Sequence, residues 1–96
     1  MLKSPFSHKH AESIAVNGLG FIAAEPDYLS RFIGLTGIDA GDIRAVVNEP
    51  AFLTAILDFL MGDEKILVEF SKVANINPEH VAIARQILTG LENFEG

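Results

Sequence analysis

The chain has 96 residues, a formal net charge of −6 and a hydrophobic content of 49%. A chain of this length supports one hydrophobic core, and its apolar content excludes disorder over most of the sequence. The acidic balance argues against nucleic acids and anionic membranes as partners, because both are bound mainly through Lys and Arg side chains. The absence of cysteine excludes disulfide bonds, thiol catalysis and thiolate metal sites, and it fits a cytoplasmic protein.

Proline and turn-forming residues divide the chain into six predicted helices. Pro26, Pro50 and Pro78 each stand where a helix can begin, since the N–H that proline lacks would have no partner there. No stretch alternates apolar and polar residues in the way that a β-strand does. The predicted helices span residues 8–24, 26–36, 40–48, 50–61, 64–74 and 78–90.

The predicted helix ends share one type of closure. Gly37, Gly62 and Asn75 follow apolar runs, and both residue types tolerate the left-handed conformation that closes many helices. Ile38 and Ile76 come one residue after two of them, where such a closure places an apolar contact with the helix. We therefore expect the chain to turn in the left-handed conformation at all three positions.

Acidic side chains gather at the predicted helix starts. Asp39 and Asp63, together with Asn77, are predicted N-caps, whose side-chain oxygens accept hydrogen bonds from free backbone N–H groups. Asp42 and Glu64 follow in the first turn, where negative charge is favourable near the positive end of the helix dipole. These structural roles account for the carboxylates, and the chain has no Gly-x-Ser-x-Gly, phosphate-loop or dinucleotide motif. We expect no enzyme activity, no catalytic residue and no bound cofactor.

The sequence nearly repeats itself after 38 residues. Shifting residues 14–46 forward by 38 positions places Phe21 on Phe59 and Phe32 on Phe70. The matching positions are apolar or turn residues, so the similarity reflects a shared architecture rather than a shared chemistry. We expect two copies of one helical unit that pack around a common core.

The helix predicted over 50–61 is apolar on almost all sides. Its polar residues, Thr54 and Asp58, are four apart and therefore form one narrow stripe along the helix. A helix with so little polar surface belongs at the centre of a bundle. We expect it to pack against the first helix, with Gly18 and Gly20 allowing a close approach.

The densest group of potential metal ligands is His8, His10 and Glu12. Residues two apart on a helix point in different directions, and a structural zinc ion normally needs four ligands. We therefore expect no metal site, and these three residues are the candidates if one exists.

A role in protein binding has four candidate anchors, Tyr28, Arg31, Arg44 and Arg85. Tyr and Arg are enriched among the residues that dominate protein interfaces.

The segment 70–88 offers an alternative, because its predicted helix, left-handed turn and second helix follow the pattern of a helix-turn-helix DNA-binding motif. Its second helix carries few basic residues for a phosphate-lined groove, so we expect nucleic acid to be the less favoured partner.

Three strings carry a resemblance to a known family: GFIAAEPDYLSRF at 20–32, TGIDAGDIR at 36–44 and FLTAILDFLMGDEKILVEF at 52–70. They resemble a bacterial family of short, acidic, all-helical proteins whose domain has no assigned function. The resemblance extends over roughly residues 14–88 and implies a helical fold. It implies no activity, since the family has no assigned catalytic residue or ligand.

Together these patterns predict an all-α fold of five or six short helices in a compact orthogonal bundle. Two quasi-equivalent three-helix units, at about 8–48 and 50–90, form a single domain, with a disordered arm at 1–7 and a frayed tail at 91–96. We expect a non-enzymatic protein-interaction or assembly module of the cytoplasm, with a DNA-associated regulator that uses 70–88 as the alternative. The expected partner is an unidentified protein or a second copy of the chain in a homodimer. No membrane partner is expected, because no apolar run approaches the roughly 18–20 residues of a membrane-spanning helix.

Overall fold

The computed structural model describes residues 7–90, whose regular structure is entirely helical. No strand occurs within these residues, so the predicted all-α fold is confirmed. None of the described helices is long and apolar enough to cross a membrane. The helices are α1 (His8–Ala23), α2 (Pro26–Thr36), α3 (Ile43–Val46), α4 (Pro50–Met61), α5 (Glu64–Ala74) and α6 (Pro78–Thr89), with a 3-10 turn at Ala40–Asp42 before α3.

Five of the six predicted helices begin and end within one residue of the observed bounds. The exception is the helix predicted over 40–48, which is instead a 3-10 turn followed by the four-residue α3. This segment contains Gly41 and the β-branched residues Ile43, Val46 and Val47, all of which lower helix propensity. A short, irregular connection therefore leads from α2 to α4.

Polar side chains cap two of the helix starts as predicted. Asp63 and Asn77 each accept a hydrogen bond from the backbone N–H two residues later, at 3.0 and 2.8 Å. The third prediction is wrong: the N-cap of α3 is Asp42 rather than Asp39, and its side chain makes no capping hydrogen bond. The carbonyl of Asp39 accepts from the Asp42 N–H, which is the backbone bond of the 3-10 turn.

The predicted arm at 1–7 and tail at 91–96 lie outside the described residues, except for Ser7. This residue is the N-cap of α1, and its side chain accepts a hydrogen bond of 2.9 Å from the His10 N–H. Ser7 therefore belongs to the helical domain and not to the arm.

A left-handed residue closes the helix at two of the three predicted positions. Gly37 has φ 74° after α2, and Asn75 has φ 58° after α5. Ile38 and Ile76, which follow them, are partly buried against the core. The same expectation is wrong for Gly62, whose φ of −76° is right-handed. The N-cap of α5 follows at once there, and its extended backbone redirects the chain.

Helix α4 lies at the centre of the fold, as its apolar sequence predicts. It packs against α1, α2, α5 and α6, and α6 also packs against α1. Its predicted polar stripe faces outward, since Asp58 is exposed and Thr54 is half-buried. The buried side chains of α4 are Phe52, Leu53, Ile56, Leu57, Phe59 and Leu60.

The close approach of α1 to α4 depends on Gly18. A Cβ atom at Gly18 would lie 2.8 Å from Cδ1 of Leu60 and 3.1 Å from Cγ2 of Ile56, both distances shorter than ordinary contact. A Cβ at Gly20 would meet no atom within 4 Å, so the predicted role is confirmed for Gly18 and wrong for Gly20. Two positions along a helix rotate the side chain by roughly 200°, which turns Gly20 away from α4.

The second helices of the two predicted units, α2 and α5, correspond closely. Helices α2 and α5 begin and end 38 residues apart, and a left-handed residue follows each. Equivalent ring pairs join each half to the other: the centroids of Phe32 and Phe59 are 5.6 Å apart, as are those of Phe70 and Phe21. The third helices differ, since α3 has 4 residues whereas α6 has 12 and packs against both α1 and α4.

Candidate functional site

An apolar groove lies between α2 and α4. The Phe32 ring packs against those of Phe52 and Phe59, with centroid distances of 5.8 and 5.6 Å, and joins the two helices beneath the groove. Two adjoining depressions, with volumes of about 210 and about 390 Å³, form it. We call it the α2–α4 groove, and its lining residues are Phe32, Leu35, Thr36, Ile38, Val46, Glu49, Ala51, Phe52, Ala55, Asp58 and Phe59.

Leu35 stands at the rim of this groove. Its exposure is 75%, and it lines both depressions. It follows Phe32 by three positions, so the two side chains share one face of α2. Full burial of a leucine side chain is worth about 1.5–3 kcal/mol relative to leaving it exposed, so the isolated fold forgoes most of this gain. A single exposed leucine is ordinary, but beside an apolar groove it extends a continuous apolar surface.

One end of the groove is acidic. Glu49 lines this end, and Asp39 is exposed next to the lining residue Ile38. Within residues 7–90, no Lys or Arg nitrogen lies within 4 Å of either carboxylate. We call this the acidic end, and its negative charge is not compensated by a local ion pair.

The other end of the groove carries two arginines. The Arg31 guanidinium lies over the Phe59 ring, 5.7 Å from its centroid, and its Nη2 is 3.6 Å from Oδ2 of Asp63. Arg85 donates through Nε to the carboxylate of Asp58. The side chains of the two arginines are 54% and 36% exposed, so their remaining N–H donors can reach a partner. We call this the arginine end.

Tyr28 connects α2 to α5 rather than to the groove. Its hydroxyl donates a hydrogen bond of 2.6 Å to Oε1 of Glu69, and its ring centroid is 5.8 Å from that of Phe21. Lys65 Nζ lies 3.3 Å from the other oxygen of the same carboxylate. The hydrogen bond to Glu69 raises the pKa of Tyr28 above its ordinary value of 10.0. The Tyr28 hydrogen bond, followed by that from Lys65, lowers the pKa of Glu69 below 4.5.

Replacing Tyr28 by phenylalanine is expected to destabilise the protein more at neutral than at acid pH. The variant keeps the ring contact with Phe21 and loses the bond to Glu69. Because the folded state lowers the pKa of Glu69, the contribution of this carboxylate is present above pH 4.5 and is lost as the pH falls through the folded-state pKa. Urea unfolding of both proteins at about pH 7 and about pH 3 measures this change. An equal difference between the two proteins at both pH values would contradict it.

Comparison with protein-family models identifies the family of the chain. A family model described as "Protein of unknown function (DUF3572)" matches residues 8–91. The chain belongs to this family. The DUF3572 match spans every helix described above, which confirms the resemblance to a family without an assigned function. No curated protein and no solved structure shows significant similarity to the chain.

Arg44 lies apart from the groove of this DUF3572 domain. It lines a separate depression at the 3-10 turn and α3, together with Gly41, Ile43 and Val47. Within residues 7–90, no carboxylate oxygen lies within 4 Å of its guanidinium nitrogens. Of the four predicted anchors, two flank the groove, one bridges α2 and α5, and one lies at this separate depression. Their role in binding a partner remains a prediction.

The residues predicted as metal-ligand candidates lie on the first turns of α1. His8 Nδ1 is 3.4 Å from Oε2 of Glu12, one helical turn along, whereas His10 stands two positions from each of them. In the described part of the chain, no three His, Cys, Asp or Glu side chains gather as a metal ion would require. The structure therefore brings two of the three candidates together as an exposed pair.

Proposed function

We propose that this DUF3572 protein is a non-enzymatic protein-interaction module of the cytoplasm that binds its partner at the α2–α4 groove. The observation that carries the proposal is Leu35, which is 75% exposed at the rim of a groove floored by buried phenylalanine rings. Continuous apolar surface of this kind is costly to leave in water and is typical of binding sites. The absence of cysteine supports the cytoplasmic location.

The arrangement of titratable groups supports a non-enzymatic role. The three described groups with shifted pKa values, Tyr28, Lys65 and Glu69, form one bridge on the surface between α2 and α5. Catalytic groups with perturbed pKa values normally converge in a cleft that can hold a substrate. Here Tyr28 and Lys65 instead pair with the carboxylate of Glu69 by a hydrogen bond and an ion pair. The lining of the α2–α4 groove, by contrast, is predominantly apolar.

The alternative function, DNA-associated regulation through α5 and α6, has less support. Helix α6 would be the reading helix, but it buries Val81, Ala84 and Leu88 against the core. Its one arginine, Arg85, pairs with Asp58. A helix that enters a DNA groove needs basic and amide side chains on its outer face, and exposed Glu79 opposes this at the start of α6.

Site-specific photo-crosslinking in the source cells tests the proposed function. A photoreactive benzoylphenylalanine replaces Leu35 in one variant and Val73 in a matched control, because the two side chains are 75% and 74% exposed. We expect protein adducts at position 35 and none at position 73, since only Leu35 lines the α2–α4 groove. Equal labelling at both positions would contradict the proposal.

Binding of the purified protein to duplex DNA that weakens steeply with added salt would favour the DNA-associated alternative.

A further inference from the structure

On the basis of the proposed function, we propose that the occupant of the α2–α4 groove is a second copy of this chain. The two copies form a two-fold symmetric dimer in which Leu35 of each copy enters the groove of the other. The inference depends on two independent features, the position of the exposed leucine and the distribution of charge along the groove.

The first feature is that the projecting residue and the depression share one surface. In a two-fold symmetric interface the same patch faces itself, so residue i contacts residue j and residue j contacts residue i. Such a patch must therefore contain both a projection and a cavity that accepts it. Leu35 projects from α2 at the rim of the groove, and Ala55 and Phe59 line the groove beside it. The α2–α4 groove meets this requirement without any rearrangement of the helices.

The second feature is that one end of the groove carries carboxylates without a cation within 4 Å, whereas the other carries two arginines that each use only part of their N–H donors on an internal aspartate. Glu49 and Asp58 mark the two ends along α4, and their nine-residue separation corresponds to about 14 Å. A two-fold axis at the middle of the groove, near Leu35, reverses the direction of the second copy. The acidic end of each copy then faces the arginine end of the other. Arg31 and Arg85 are exposed enough to pair outward while keeping their internal contacts.

The same dimer accounts for the unpaired acids. Within the described residues, Glu49 and Asp39 have no Lys or Arg nitrogen within 4 Å, although the exposed Arg31 and the half-buried Arg85 lie at the far end of the same groove. Pairing across the two-fold axis would bring the arginines of each copy to the acidic end of the other, so the same contact would form at both ends of the interface. The net charge of −6 on each copy opposes association, but at physiological salt this repulsion is screened beyond about 8 Å, whereas contacts across the groove are closer.

The position equivalent to Leu35 in the second half provides a matched control. A shift of 38 residues places Leu35 on Val73, and the exposures of the two side chains differ by one percentage point. By the same shift, Ala55 and Asp58 of the groove correspond to Asn17 and Gly20. By this shift a polar residue replaces Ala55 and an uncharged residue replaces Asp58, and Val73 itself lines neither depression of the α2–α4 groove.

Sedimentation velocity of the full chain tests the dimer, over concentrations from about 1 to about 200 μM. We expect the wild type and Val73→Asp to change from monomer to dimer as the concentration rises. Leu35→Asp is expected to bind its own copy at least about tenfold more weakly, because a carboxylate cannot enter the apolar groove without loss of hydration. Circular dichroism and thermal melting establish whether both variants fold. We expect that they do, because the side chains of Leu35 and Val73 are both largely exposed and the substitutions leave the core intact.

A charge reversal tests the orientation of the two copies. Glu49→Lys places like charges together across the proposed interface and is expected to weaken the dimer several-fold. Glu25→Lys is its control, because both glutamates are exposed N-caps before a proline and neither makes a capping hydrogen bond. The two variants change the net charge equally, so an equal effect of both would overturn the proposed pairing of the groove ends.

The outcomes separate this inference from the proposed function. A wild type that stays monomeric at every concentration overturns the dimer, and so does a dimer that Leu35→Asp leaves intact or that Val73→Asp weakens equally. If the wild type is monomeric and position 35 crosslinks to a different protein, the proposed function stands with another occupant. If position 35 crosslinks to a second copy and Leu35→Asp is monomeric, both are supported.

Discussion

Replacing Leu57 by alanine is expected to lower the free energy of unfolding by about 2–5 kcal/mol. Leu57 has no exposed surface, and it lies on α4, which packs against α1, α2, α5 and α6. Loss of the side chain removes its transfer free energy and leaves a cavity that surrounding helices fill only in part. A chain of this length has a total stability of about 5–14 kcal/mol, so this one truncation removes a large fraction of it.

Urea unfolding followed by circular dichroism measures this loss. Val73→Ala is the control, because its side chain is 74% exposed and its truncation is expected to change stability by no more than about 0.5 kcal/mol. If Leu57→Ala unfolds at the same urea concentration as the wild type, the central position of α4 in the folded protein is wrong.

The bounds of the helices could be predicted because their signals are local. Pro26 and Pro50 start helices at the first position that tolerates proline, and Asp63 caps α5 through its own side chain. Gly37 and Asn75 close helices in the left-handed conformation, which depends on residue type more than on distant contacts. Each of these features is determined within about one turn of the chain.

The wrong predictions arose where neighbouring structure decides the local conformation. Gly62 closes α4 without a left-handed turn because the N-cap of α5 follows immediately. The segment 40–48 is preceded by Asp39 and followed by Glu49 and Pro50, which are signals of helix starts, but its glycine and β-branched residues form only a short helix. Gly20 resembles Gly18 in sequence, and only the position of α4 distinguishes the glycine that is needed.

The candidate site depends on contacts that the sequence does not specify. Tyr28 and Arg85 were predicted as surface anchors from residue type alone, but their partners Glu69 and Asp58 lie 41 and 27 residues away along the chain. The α2–α4 groove was not predicted, because it depends on how far α2 stands from α4. The sequence signal closest to it is Leu35, an apolar residue near the end of an otherwise amphipathic helix.

Alanine substitutions at Gly18 and Gly20 are expected to have different effects on stability. Both replace glycine in the middle of α1, and each gains up to about 1 kcal/mol from the higher helix propensity of alanine. At Gly18 the added methyl group would press on Leu60 and Ile56, which have no exposed surface and little room to move. Overpacking of this kind costs about 1–3 kcal/mol.

The difference between the two variants isolates the packing of α1 against α4, because the propensity gain is common to both and cancels. Gly20→Ala is expected to unfold at a higher urea concentration than the wild type, and Gly18→Ala to be less stable than Gly20→Ala by about 1–3 kcal/mol. Equal stabilisation by both substitutions would mean that Leu60 and Ile56 yield to a new methyl group. The distance between α1 and α4 would then not depend on glycine at position 18. The core around α4 would be packed less tightly than the complete burial of Ile56 and Leu60 indicates.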